Sequence, residues 1–353
     1  MVLPLLLLAA RIVPASPEVK FRQPQLAVGN RIVAVAFGAG DTIYFASSRD
    51  GGATFGKPVK VAEPGKLALG SRRGPRIAIA GQAIVISAIA GAKGGGADGD
   101  LQAWRSTDGG RSWSPAVRIN DVPAAAREGL HAMASDWERM VFAAWLDLRD
   151  KGTRLYGSVS TDGGAMWSAN RLIYASPDGH ICECCHHSVA INAQGHVYVM
   201  WRNWLGGARD MYLARSLDGG RNFEGAEKLG EGTWPLDACP MDGGGVAFDE
   251  RGQPVTAWRR DDTVYLARPG AGETALGKGK DPSVAAGPCG LVAAWKTSQG
   301  IVMRAAGSTE PSFLVKDASY VHLASGKRIF AAWEDHGKIV VNSGVPQEAR
   351  KMR

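Results

Sequence analysis

Residues 106–113 read Ser106-Thr107-Asp108-Gly109-Gly110-Arg111-Ser112-Trp113, and the pattern returns as SRDGGATF at 48–55, STDGGAMW at 160–167 and SLDGGRNF at 216–223. In each copy an aspartate follows a serine by two positions and precedes an aromatic residue by five. Asp50, Asp108, Asp162 and Asp218 stand 58, 54 and 56 residues apart, the mark of a repeat architecture. Short Ser and Asp side chains bond nearby backbone amides, and the paired glycines supply positive φ, so the motif is a tight hairpin turn. Its terminal aromatic folds back into a core. The chemistry of this motif is structural.

A second repeat extends past the first. Apolar strands ending in tryptophan occur at Val141–Trp145, Val197–Trp201, Val255–Trp258, Leu291–Trp295 and Ile329–Trp333, with the tryptophans 56, 57, 37 and 38 residues apart. The later units lack the Ser/Asp turn and are shorter by about its length. Ile32–Phe37 and Ile84–Ile89 complete seven units. Each unit reads as four strands; in the fourth they are Ser188–Ile191, His196–Trp201, Met211–Ser216 and Ala226–Leu229. The eight-residue turns resemble the Asp-box (BNR) repeats of the sialidase superfamily. That resemblance implies an all-β fold, a single β-propeller of four-stranded blades with the Asp boxes in the third-to-fourth strand turns. Seven blades are favoured; six, the number in the sialidase enzymes, is the alternative. Blade 7 runs into a basic tail, and Glu18–Arg22 is expected to supply its outer strand. Radial repetition protects the sheet edges of such a chain.

Composition agrees. Glycine accounts for 46 of 353 residues, about twice the usual share, charged residues for only 21%, and 11 tryptophans are spread along the chain. These values exclude a coiled coil and a charge-rich disordered chain. The net charge of +7 comes with no run of five basic residues, so nucleic acid is not an expected partner. Val2–Ala10 is an apolar run too short to span a bilayer, and Val13 and Ala15 resemble a signal-peptidase site with cleavage after Ala15. The expected organisation is a signal peptide over 1–15 and a propeller over 16–353. The protein is then periplasmic or secreted, with no membrane span after cleavage.

Strand direction alternates within a blade, so the entries to the innermost strands gather on the face opposite the Asp boxes. Four cysteines fall there: Cys182, Cys184 and Cys185 from blade 4 and Cys239 from blade 5, with His186, His187 and Met241 beside them. Two readings follow. In an oxidising compartment, Cys239 and one cysteine of the run staple two blades as a disulfide. Alternatively, thiolate, imidazole and thioether, with His131 from blade 3 as a further donor, hold a soft cation, copper or zinc, and Met241 tilts the choice toward copper. Cys289, in a turn on the other face, is separate. The channel mouth is the expected place for a metal, small ligand or glycan, and a protein partner is the third alternative.

The resemblance to sialidases also implies a glycosidase alternative. Those enzymes clamp a substrate carboxylate with three arginines, and use an aspartate as general acid and a Tyr/Glu nucleophile pair. Phe21-Arg22-Gln23-Pro24 looks like the family's F-R-x-P motif, which makes Arg22 the first clamp arginine. By position, Asp41 matches the acid, Tyr320 the nucleophile, Glu128 its partner, and Arg202 and Arg260 the other arginines.

Overall fold

The computed structural model describes residues 9–287, 290–310 and 313–344. Seven sheets surround one axis, and among the described residues there is no helix, hence none long and apolar enough to cross a membrane. The innermost strands are Arg22–Val28, Arg76–Ala80, Ala126–Ser135, Ser188–Ile191, Gly244–Phe248, Lys280–Gly287 and Ser319–Ser325, opening blades 1 to 7 in chain order. Every blade is an antiparallel sheet built on four strands, and blade 2 carries an extra two-residue strand, Lys66–Leu67. The fold is a seven-bladed propeller, which decides the blade count.

Alternating strands bury one face against each neighbouring blade, so the core is a ring of apolar layers rather than one central mass. The repeated tryptophans fill these layers: Trp145, Trp201, Trp258, Trp295 and Trp333 are at most 4% exposed. Phe37 occupies the corresponding place in blade 1, where it is fully buried. Blade 4 comprises Ser188–Ile191, Val197–Arg202, Met211–Ser216 and Glu227–Lys228, within a residue or two of its sequence reading.

The four Ser/Asp turns all lie between third and fourth strands and share one bonding scheme. In blade 2, Ser106 Oγ donates to Asp108 Oδ1 at 2.8 Å and accepts from Gly110 N at 2.8 Å, while Ser112 N donates to Asp108 Oδ1 at 3.0 Å. Blades 1, 3 and 4 repeat these contacts.

Ring closure differs from the sequence expectation. The outer strand of blade 7 is Ala9–Ile12, paired antiparallel with Lys338–Asn342. Glu18–Arg22 does not form it; Phe21 instead packs on Phe37, with ring centroids 4.5 Å apart, and leads into the first strand of blade 1. Phe21 is too apolar to lie on an exposed outer edge when a buried slot is available beside it. Residues 1–8 of the expected leader lie outside the described residues, as does Cys289.

Candidate functional site

The loop entering blade 4 carries Cys182, Cys184 and Cys185. Residues two and three apart in a turn can point to one centre, and here they do. Sulfur separations are 3.3 Å (Cys182–Cys185), 3.7 Å (Cys182–Cys184) and 4.0 Å (Cys184–Cys185). Cys182 and Cys185 are buried, Cys184 is half-buried, and all three are free thiols, as is the exposed Cys239. A disulfide needs sulfurs about 2.05 Å apart, so the inter-blade staple is not formed. Sulfurs around one metal at about 2.3 Å stand roughly 3.8–4.0 Å from one another, close to the observed triangle.

Blade 4 also supplies countercharge. Arg209, from the loop between its second and third strands, donates from Nη1 to Cys182 Sγ at 3.1 Å, and its guanidinium lies 3.9 Å over Trp204. Hydrogen bonding with Cys184 and then Cys185, helped by Arg209 and Arg202, holds the Cys182 thiol far below its ordinary range despite burial. Burial, followed by hydrogen bonding to Cys182, pushes Cys185 the other way. Three sulfurs in mutual contact, one of them hydrogen-bonded by a guanidinium, are what this triangle provides before any metal arrives. Cys239 stands outside the group of three sulfurs that lie within 4.8 Å of one another, and Cys184 is the chief cause raising its thiol. Cys239 is the exposed fourth sulfur.

The histidines turn elsewhere. His186 Nδ1 accepts from Gly243 N of blade 5 at 3.2 Å, and His187 Nε2 donates to Ala144 O of blade 3 at 2.7 Å. Both rings are buried and line the central channel, so burial first of all depresses their basicity, to about 4 for His187. His131 is likewise buried, with Nε2 3.0 Å from Ser87 Oγ. Met241 is 41% exposed, at a positive φ of 51°. The donor set gathered at one point is therefore sulfur alone, with Cys239 at its edge. Arg209 had no role in the sequence reading; its place in the hairpin loop of the same blade and face was the available signal.

The residues matched to the sialidase pattern are scattered over separate partners. Arg22 reaches Leu69 O at 3.5 Å and Glu334 at 3.9 Å, while Asp41 pairs with Lys66 at 2.7 Å. Glu128 pairs with Arg73 at 3.0 Å. Arg202 is 1% exposed and donates to the carbonyls of Asp242, Arg209 and Arg259 at 2.7–2.9 Å. Arg260 forms a two-point pair with Glu273 and stacks on Tyr265. Tyr320 accepts a hydrogen bond from Gln25 and lies 4.7 Å beneath the Arg72 guanidinium. These arginines tie loops together, and no three of them converge on one point.

A seven-bladed ring, four Asp-box turns and a sulfur-lined blade entry define an Asp-box propeller. The profile of the BNR repeat-like domain matches residues 38–231, and the chain belongs to that family. Among solved structures, a polysaccharide lyase of family PL25, an ulvan lyase, superposes with a TM-score of 0.58 at 11% identity, covering 92% of this chain and 94% of its own. The Penicillium chrysogenum α-L-arabinanase complexed with arabinobiose gives 0.56 at 11%, covering 95% and 96%. The Hadza microbial sialidase Hz136 gives 0.51 at 14%, covering 89% and 74%. Likeness at such identities concerns the fold. No curated protein matches the chain significantly.

Proposed function

We propose that this protein is an exported propeller that binds a soft metal ion, copper(I) foremost, through Cys182, Cys184 and Cys185. The observation that carries the reading is the sulfur triangle, with edges of 3.3, 3.7 and 4.0 Å. Three thiolates suffice for a soft monovalent ion, whereas zinc takes a fourth donor, for which Cys239 is the candidate. Arg209 and Arg202 offset the negative charge that three thiolates bring to a partly buried loop. Metal occupancy also explains how neighbouring thiols stay unpaired in an oxidising compartment.

Elemental analysis of purified protein, with copper(I) and zinc titrations under reducing conditions, tests this. The expected result is one equivalent of copper(I), lost in Cys182→Ser and in Cys185→Ser. Cys239→Ser is expected to keep copper(I) and lose tight zinc binding. Wild type that takes up neither metal, with thiol titration showing two fewer free thiols, removes the proposal in favour of a disulfide.

A further inference from the structure

A cavity of about 990 Å³ runs along the propeller axis, apart from the thiol cluster. Among its outer lining, Trp137, Ala193, Gln194 and Glu250 are exposed and sit in turns on the Asp-box face. Its inner lining, Gln25, Arg72, His186, Pro282 and Tyr320, is buried. The cavity thus opens on the Asp-box face, opposite the blade entries.

The inner end has an excess of donors. Arg72 of blade 2, 4% exposed and at a φ of 66°, reaches across the channel to donate to Asp281 O in blade 6. Its Nε has no hydrogen-bond partner and meets the Asp281 carboxylate only in an ion pair at 3.9 Å. His322 Nδ1 accepts from Leu26 N at 3.1 Å and His186 Nδ1 from Gly243 N, so each neutral ring carries its proton on Nε2. The Tyr320 hydroxyl accepts from Gln25, which leaves its own proton to give. The acidic residues lining the cavity, Asp249 and Glu250, belong to the outer mouth. A buried guanidinium with its Nε unbonded and three further donors line the cavity together with the unpartnered Ser188 hydroxyl, and buried donors of this kind are costly unless a partner answers them. The walls between are aliphatic, from Leu26, Val189, Val246 and Val284.

We infer that the inner end of the channel binds the oxyanion head of a small organic anion entering from the Asp-box face. Arg72 gives charge and hydrogen bonds, and His322, His186 and Tyr320 complete the cradle. The aliphatic walls take the carbon body, and the volume lies at the upper end for small-molecule sites. The clamp arginines of the glycosidase reading take no part.

Butyrate, butyl phosphate and butanol share one body and differ in the head. Calorimetric titration of the full-length protein, with thermal melts alongside, is expected to show saturable binding and a raised midpoint with an anion and none with butanol. The tighter anion identifies the head as carboxylate or phosphate. Arg72→Gln is expected to weaken binding by at least about tenfold, and Tyr320→Phe by several-fold. If Arg72→Gln fails to fold by circular dichroism, Tyr320→Phe decides. Absence of saturable binding for both anions, or wild-type affinity in the folded variants, overturns the assignment. Cys182→Ser is expected to bind the anion unchanged; loss of binding there overturns it by moving the anion to the thiol cluster. A failed metal titration leaves this result standing.

Discussion

Cys182 and Cys185 are 3.3 Å apart in one loop, yet their thiols are pushed in opposite directions. Hydrogen bonding within the triangle and then the charge of Arg209 lower Cys182; burial, then hydrogen bonding to Cys182, raises Cys185. A pair split in this way is expected to lose its two protons in separate steps. In the metal-free protein, the ultraviolet absorbance of one thiolate is expected to persist well below the ordinary thiol range. Arg209→Met removes the charge and the 3.1 Å contact, and is expected to move that absorbance step upward by about one pH unit or more. An unchanged step would mean that the neighbouring thiols alone hold the thiolate. The sequence showed which residues crowd this loop but not how they point. His186 and His187 adjoin Cys185 in the chain, and each turns to a different neighbouring blade, a choice fixed by Gly243 N and Ala144 O some forty to sixty positions away.

The Asp box owes its legibility to short range: serine, aspartate and glycines bond within eight residues, so the turn is written locally. What the box joins is not local. The second glycine of each copy docks on the preceding blade in the ring: a Cβ at Gly164 would come 2.6 Å from Val85 of blade 2, and one at Gly52 2.9 Å from Phe330 of blade 7. The box is both a turn and a seam between blades. Gly163 and Gly164 have positive φ of 71° and 86°, so alanine is strained at both, but at Gly163 the nearest contact is 3.1 Å. Gly164→Ala is expected to cost about 1–2 kcal/mol more than Gly163→Ala in urea unfolding, because the blade seam must also open. Equal losses would reduce the box to a turn. A third repeat escaped the sequence altogether. Gln23, Arg72, Glu128, Met241, Asp281 and Tyr320 take positive φ at the blade entries, and none is the glycine that would announce it. The surrounding ring imposes that conformation.

At the scale of the ring, blade number was legible because every blade repeats its own apolar strand, whereas closure depended on two short segments from opposite ends of the chain. Ala9–Ile12 pairs from Ala9 opposite Asn342 to Ile12 opposite Ile339. Ile12 is 2% exposed in a core shared with Phe330, Ile339 and Val341, a burial worth about 2 kcal/mol. Blade 7 thus draws strands from both ends of the chain, and its outer edge is covered only while Ala9–Ile12 stays in place. Cleavage after Ala15 would take that strand away and leave Lys338–Asn342 as an open, apolar edge. We therefore expect a mature chain with a closed blade 7 to begin at or before Ala9, which N-terminal sequencing of the mature protein reads directly. A variant starting at Ser16 is expected to melt roughly 5–10 °C below one starting at Ala9 and to aggregate through the bare edge. Equal midpoints would show that blades 1 to 7 hold the ring without this strand, and would make cleavage after Ala15 compatible with the fold.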